Sequence, residues 1–252
     1  LVTQLFQYRF AGNQDVGGHP LGNLFITAMA QVTGSFESAL VESSRVLNIR
    51  GQVLPSTLRN VTLIGEVAGE GRTAVVEGES RLGSALTGAI LRVSLRPEDP
   101  PAYPPVIKAV LGADLIVLGP GSLYTSLIPN LLVPDLAVAI ESSPALKVYV
   151  CNTATQPGET DAYDVGAHVQ AIERHTRPGL VQLVMANANR GGVLLPQLKW
   201  VAPTLTGLAP GLAPELVEAD LADEARPWRH DSEKLAAALL ELLEQRRSLP
   251  FN

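Results

Sequence analysis

Three short apolar runs constrain this chain most. Asp114 to Leu118, Lys147 to Cys151 and Leu180 to Met185 are continuous rather than alternating, and helical patterns such as Tyr163 to His175 lie between them. A strand that is wet on one face alternates apolar with polar residues. A strand covered on both faces reads as an unbroken apolar run, the mark of a parallel sheet between helices. Strand–helix alternation of this kind predicts a doubly wound α/β fold.

The segment before these runs has a different period. Apolar stripes at helical spacing cover 22–31 and 36–47; in the second, Phe36, Leu40 and Leu47 recur, with Ser35 placed to cap and Glu37 in the first turn. The period then falls to two over 61–67, 73–79 and 90–96. In the last, Leu91, Val93 and Leu95 alternate with Arg92, Ser94 and Arg96, which predicts a half-buried strand. Ala68-Gly69-Glu70-Gly71 reads as a hairpin turn, so 51–97 is expected to be a small antiparallel β-rich insertion. The prolines at 97, 100, 101, 104 and 105 then carry the chain to another layer. Residues 196–214, rich in Pro, Leu and Gly, read as loop. A last helix starts at Asp231 or Ser232 and buries Leu235, Leu239 and Leu242.

With 46% hydrophobic and 17% charged residues, the 252-residue chain can fill a sizeable core. A net charge of −6 argues against a general nucleic-acid backbone binder. The single cysteine, Cys151, excludes an internal disulfide framework and a cysteine zinc cluster, and fits a reducing cytoplasm. No apolar run reaches the roughly 18–20 residues of a membrane span, and the first residues show neither a charged n-region nor a small-residue cleavage site. The chain does not begin with Met, and Leu1 to Phe10 reads like the end of a helix, so a preceding N-terminal piece is expected.

The most informative stretch for chemistry is DLIVLGPGSLYTS, 114–126. A buried strand runs into Gly119-Pro120-Gly121 and then Ser122, Tyr124, Thr125 and Ser126. Glycines let the backbone turn sharply and approach a ligand, and amides and hydroxyls there are placed to cradle an anionic oxygen. The stretch is neither a Walker loop, having no Lys after the glycines, nor G-x-G-x-x-G, nor a serine-hydrolase elbow. The alternative is an ordinary tight strand-to-helix turn. Cys151 to Thr160 follows the next strand, with Asn152 and Thr155 among its polar residues; it is either the second wall of a shared crevice at the strand ends or a capping loop with Asp161 or Asp164 as cap. His19, followed by Gly22 and Asn23 at the start of an apolar helix, offers an acid–base group and amide donors. In Arg226-Pro227-Trp228-Arg229-His230-Asp231, Arg229 is suited to pair with a phosphate, and Trp228 or Trp200 to stack on a base; a capped helix start explains the same residues. His168 and His175 share a helix face without a metal-site pattern and read as core or solvated residues.

Taken together, LFQYRF (5–10), HPLGNL (19–24), VLNIRGQVLPST (46–57), GPGSLYTSLIPNLLVP (119–134), VYVCNTATQPGETDAY (148–163) and WRHDSEK (228–234) resemble the gluconeogenesis factor family (YvcK-like), relatives of phospholactate transferase (CofD-like). The resemblance implies a Rossmann-like α/β fold, with 1–252 as one nucleotide-binding domain whose N-terminal part is missing. It implies a cytoplasmic protein that binds a nucleotide sugar, notably UDP-N-acetylglucosamine, and acts in gluconeogenic growth, cell shape and peptidoglycan synthesis. A cell-wall synthesis protein is the implied partner; the sequence leaves the oligomeric state open, a homo-oligomer included. Arg229 matches an arginine used for that ligand, Trp200 falls near a family aromatic, and His19, Asn23 and Gly119 to Ser126 line the family's crevice. The family's Gly-Gly-Gly-Thr-Gly loop and Asp-Asp-Gly-Gly stretch do not occur here, and Ala154 replaces a common methionine. The alternative function is a transferase moving a phosphorylated hydroxy acid from a nucleotide, which needs magnesium and positioned carboxylates. No metal ligand and no catalytic residue is assigned.

Overall fold

The computed structural model describes residues 5–6, 8–10, 20–69, 72–84, 88–208, 211 and 213–248. The chain forms two compact units, one of Leu1–Leu58 with Tyr103–Val106 and one of Arg59–Ala102 with Ile107–Asn252.

The first unit is built on two helices, α1 (Leu21–Thr33) and α2 (Phe36–Val46). Gly34, at φ 79°, reverses the chain between them, and the Ser35 hydroxyl accepts the Ser38 N–H as predicted. The buried face of α2 is Ala39, Leu40 and Ser43, whereas Phe36 is half exposed. The stripe is therefore rotated from the spacing read in the sequence. Tyr103 closes the unit by giving its N–H to the Ser56 carbonyl and its hydroxyl to Glu37.

The second unit holds both sheets. The antiparallel one comprises β1 (Thr62–Ala68), β2 (Thr73–Glu77) and β3 (Ile90–Arg96) in the order β2-β1-β3. Its hairpin closes through Gly69 N–H to the Arg72 carbonyl; Glu70 and Gly71 lie outside the described residues. The expected strand to residue 79 stops at Glu77, because Gly78 (φ 95°) turns the chain into the short helix α3 (Glu79–Ser84). Val93 and Leu95 are buried as predicted, but Leu91 is 48% exposed and Ile90 takes its place inside. The cause is a β-bulge: Glu66 pairs with Arg92 and Val67 with Ile90, so Leu91 has no partner and the alternation slips by one.

After α4 (Pro104–Leu111) comes the parallel sheet: β4 (Leu115–Leu118), β5 (Leu146–Val150), β6 (Leu183–Asn187) and β7 (Glu215–Ala219), adjacent in chain order. The first crossover contains α5 (Ile128–Leu131) and α6 (Pro134–Ser142), and the second α7 (Val165–His175); β7 lies just beyond the predicted loop. The last helix, α8 (Ser232–Ser248), covers one face of the sheet. Its Leu235, Leu239 and Leu242 pack with Val148, Val150, Leu183 and Met185. On the other face the Tyr149 ring lies 6.5 Å from His168 of α7. Cover on both faces is why β5 and β6 read as apolar runs, whereas β4, at the sheet edge, leaves Val117 36% exposed. Lys147, the charge within one run, is buried and gives its ammonium to the Ser143 carbonyl at 2.7 Å. Among the described residues, no single helix is long and apolar enough to cross a membrane.

Candidate functional site

The site grows from the carboxyl ends of β4 and β5. Gly119 leaves β4 at φ 84°, and a Cβ there would stand 3.1 Å from the Val150 carbonyl oxygen, so both backbone angle and space require glycine. The chain then enters a π-helical turn, Leu123–Leu127, that runs into α5. After β5, Thr155 N–H donates to the Lys199 carbonyl (2.8 Å) and Val201 N–H to that of Thr153 (3.1 Å). This stitches the polar loop to the segment carrying Trp200, with Ala154 and Trp200 bridged. The third component follows β7. Asn187 accepts the Leu221 N–H, Ala222 bridges to His230, and the Arg229 carbonyl accepts the Asp223 N–H. Asp231 caps α8 by accepting the N–H groups of Glu233 and Lys234.

Between these components lies a cavity of about 680 Å³, in the range of small-molecule sites. Pro120, Gly121 and Ser122 form one wall, residues 152–157 the floor, and Leu198 with Trp228, Arg229 and His230 the opposite wall. Arg229 is exposed and makes no ion pair among the described residues. His230 Nε2 lies 3.2 Å from the Cys151 carbonyl, and burial lowers its pKa, so the neutral ring donates there. The Cys151 thiol, pushed up to about 12 by burial, is not a nucleophile at neutral pH.

Behind the first wall sits a carboxylate. Glu159 is buried, and its oxygens lie 2.6 and 2.8 Å from the Ser122 hydroxyl. The backbone of Tyr124 and Thr125 also favours its charged form. The Ser122 hydroxyl, read in the sequence as part of a cradle for a ligand's anionic oxygen, is thus turned to the chain's own carboxylate. Burial raises the Glu159 pKa, and these hydrogen bonds pull it partly back.

Of the sequence-predicted residues, Gly121, Ser122, Asn152, Thr155 and Arg229 come together around the cavity. Gly119 shapes the turn, Thr125 stands behind Ser122 at 2.6 Å, and Ser126 gives its N–H to the Ser122 carbonyl. Tyr124 is fully buried, its hydroxyl 2.7 Å from that of Tyr163, and faces the interior. Trp200 holds the loop through its backbone bridge, whereas Trp228 supplies the cavity's aromatic ring. Gly22 and Asn23 lie in the first turn of α1 in the other unit, and His19 lies outside the described residues. Sequence reasoning left Pro120, Thr153, Ala154, Gln156, Pro157, Leu198 and His230 out of the site; His230 is adjacent to Arg229 in the sequence, but Leu198 carries no local signal. His168 is a core residue and His175 is partly buried. The His168 ring bonds the Asp164 carbonyl, and His175 accepts the Val93 N–H at 2.9 Å. Among the described residues, no three His, Cys, Asp or Glu side chains gather to hold a metal.

Comparison with known proteins agrees with this architecture. The family model for 2-phospho-L-lactate transferase CofD matches residues 1–246. The chain belongs to the CofD family. Within it, this CofD-family chain is 46% identical over 188 residues to the gluconeogenesis factor of Bacillus subtilis (strain 168), covering 75% of this chain and 58% of that protein. It is 40% identical over 247 residues to the gluconeogenesis factor of Listeria monocytogenes, covering 96% and 75%. A Nostoc sp. relative is 54% identical over 173 residues, covering 69% of this chain and 37% of that one. The match thus spans about half the length of several curated relatives. A crystal structure of a UPF0052 family protein from Bacillus halodurans superposes with TM-score 0.80 at 38% identity, covering 95% of this chain and 78% of that one.

Proposed function

We propose that this chain is the ligand-binding part of a nucleotide-sugar sensor, with UDP-N-acetylglucosamine as ligand. It would act in the cytoplasm on gluconeogenic growth, cell shape and peptidoglycan synthesis, through a cell-wall synthesis protein that reads the bound state. The observation that carries this reading is Arg229, exposed and without an ion pair among the described residues, on a cavity large enough for a nucleotide sugar, with Trp228 beside it. A guanidinium pairs bidentately with a phosphate, and an indole stacks on a base. The gluconeogenesis-factor names of relatives support the physiological side.

The family description favours a second reading, a transferase that moves a phosphorylated hydroxy acid from a nucleotide. The described residues provide no cluster of carboxylates for its magnesium, so no step through a metal is derived. Titration calorimetry on the intact protein separates the two readings. Saturable binding of UDP-N-acetylglucosamine, weakened at least tenfold by Arg229→Ala with the sugar recovered unaltered, supports the sensor. Magnesium-dependent binding of GDP with no response to the UDP-sugar supports the transferase and removes Arg229 as a sugar-nucleotide ligand.

A further inference from the structure

Ser122 is the side chain of the first wall that meets the cavity, and its hydrogen-bonding capacity can be counted. A serine hydroxyl has one proton and two lone pairs. Both Glu159 oxygens lie close to the Ser122 hydroxyl, at 2.6 and 2.8 Å, the forked contact of an acceptor-only carboxylate. The Ser122 proton therefore goes to Glu159. The contact of 2.6 Å between the Ser122 and Thr125 hydroxyls must then be donated by Thr125. One lone pair of Ser122 Oγ is left, and no proton. Across the cavity, Arg229 offers only donors and a positive charge.

We propose that the Ser122–Glu159 pair makes the β4 wall a hydrogen-bond acceptor, which takes a hydroxyl or N–H of the ligand and leaves the ligand's phosphates to Arg229. The assignment rests on the nucleotide-sugar reading above and deepens it by fixing the ligand's direction. A phosphate oxygen brings no proton to Ser122 and meets the Glu159 charge behind it. A sugar, ribose or base donor completes the remaining lone pair and is drawn by that same charge. The cavity is thus polarised, anionic behind Ser122 and cationic at Arg229. A ligand with phosphate at one end and hydroxyls or N–H groups at the other fits one way round.

The test uses the intact protein with UDP-N-acetylglucosamine, read by calorimetry and by the phosphorus NMR shifts of the bound ligand. Ser122→Ala is expected to weaken binding about tenfold, the size of one hydrogen bond lost beside a charge. Ser122→Thr, which keeps the hydroxyl, is expected to restore it. Both variants should leave the bound phosphorus resonances where the wild type has them, whereas Arg229→Lys should move them. Resonances that Ser122→Ala moves as far as Arg229→Lys does would put a phosphate on Ser122 and overturn the assignment. Unchanged affinity in Ser122→Ala overturns it as well. In both cases the nucleotide-sugar reading stands, because the wild type binds. Absence of UDP-sugar binding by the wild type overturns that reading first and this one with it.

Discussion

The two walls of the cavity are built on opposite principles. On the β4 side the polar side chains are tied to one another: Thr125 meets Ser122, Ser122 meets the buried Glu159, and Gly119 holds a backbone angle that other residues resist. On the α8 side Arg229 is exposed, and its guanidinium has no ion pair among the described residues. The first wall is part of the fold's own hydrogen-bond network. The second is held by backbone bonds to Arg229 N–H and carbonyl while its side chain is left for solvent or ligand. Substitutions should therefore separate stability from binding, wall by wall.

The largest loss of stability is expected from Glu159→Ala. It strands the Ser122 hydroxyl and empties a buried site, at a cost of roughly 2–3 kcal/mol, read as a lower urea midpoint with an unchanged slope. Gly119→Ala comes next, at about 1–2 kcal/mol, since alanine must adopt φ 84° beside the Val150 carbonyl. A smaller effect appears with pH. Burial raises the Glu159 pKa in the folded state, so between the usual carboxylate value and that raised value the folded protein holds more protons than the unfolded chain. This group's contribution is full below the window and is lost as pH rises through it. Glu159→Gln should flatten that component of the stability profile in thermal scans. Arg229→Ala should do least, moving the unfolding midpoint by no more than about 2 °C while removing ligand binding. A midpoint that falls with Arg229→Ala as far as with Glu159→Ala would erase the distinction between the walls.

Much of the parallel sheet was legible because its central strands are covered on both faces, a condition written locally as apolar runs at Leu146–Val150 and Leu183–Asn187. The caps Ser35, Asp164 and Asp231 were legible for a similar reason, since a cap bonds amides two or three residues away. β7 was not. Its sequence, ELVEA, is half-buried and short, and it follows a loop whose composition predicts more loop. Leu91 misled because the bulge that displaces it is a property of its pairing with β1, not of its own strand. In the site, the turn after Leu118 follows from residue types in order, and Arg229 was marked by the family resemblance. Tyr124, one of the hydroxyl residues of the loop after β4, is buried and meets Tyr163 on another segment, a contact its own stretch does not encode.

The sequence by itself determined the α/β class, the antiparallel insertion, the loop after β4 and the family, because each rests on patterns within a few residues or on motifs in a fixed order. Only the tertiary structure decided that Glu159 stands behind Ser122 and that Leu198, Trp228 and His230 close the cavity opposite. Those pairs are far apart along the chain. Their meeting depends on which strand ends lie side by side in the sheet, and no local spacing encodes that.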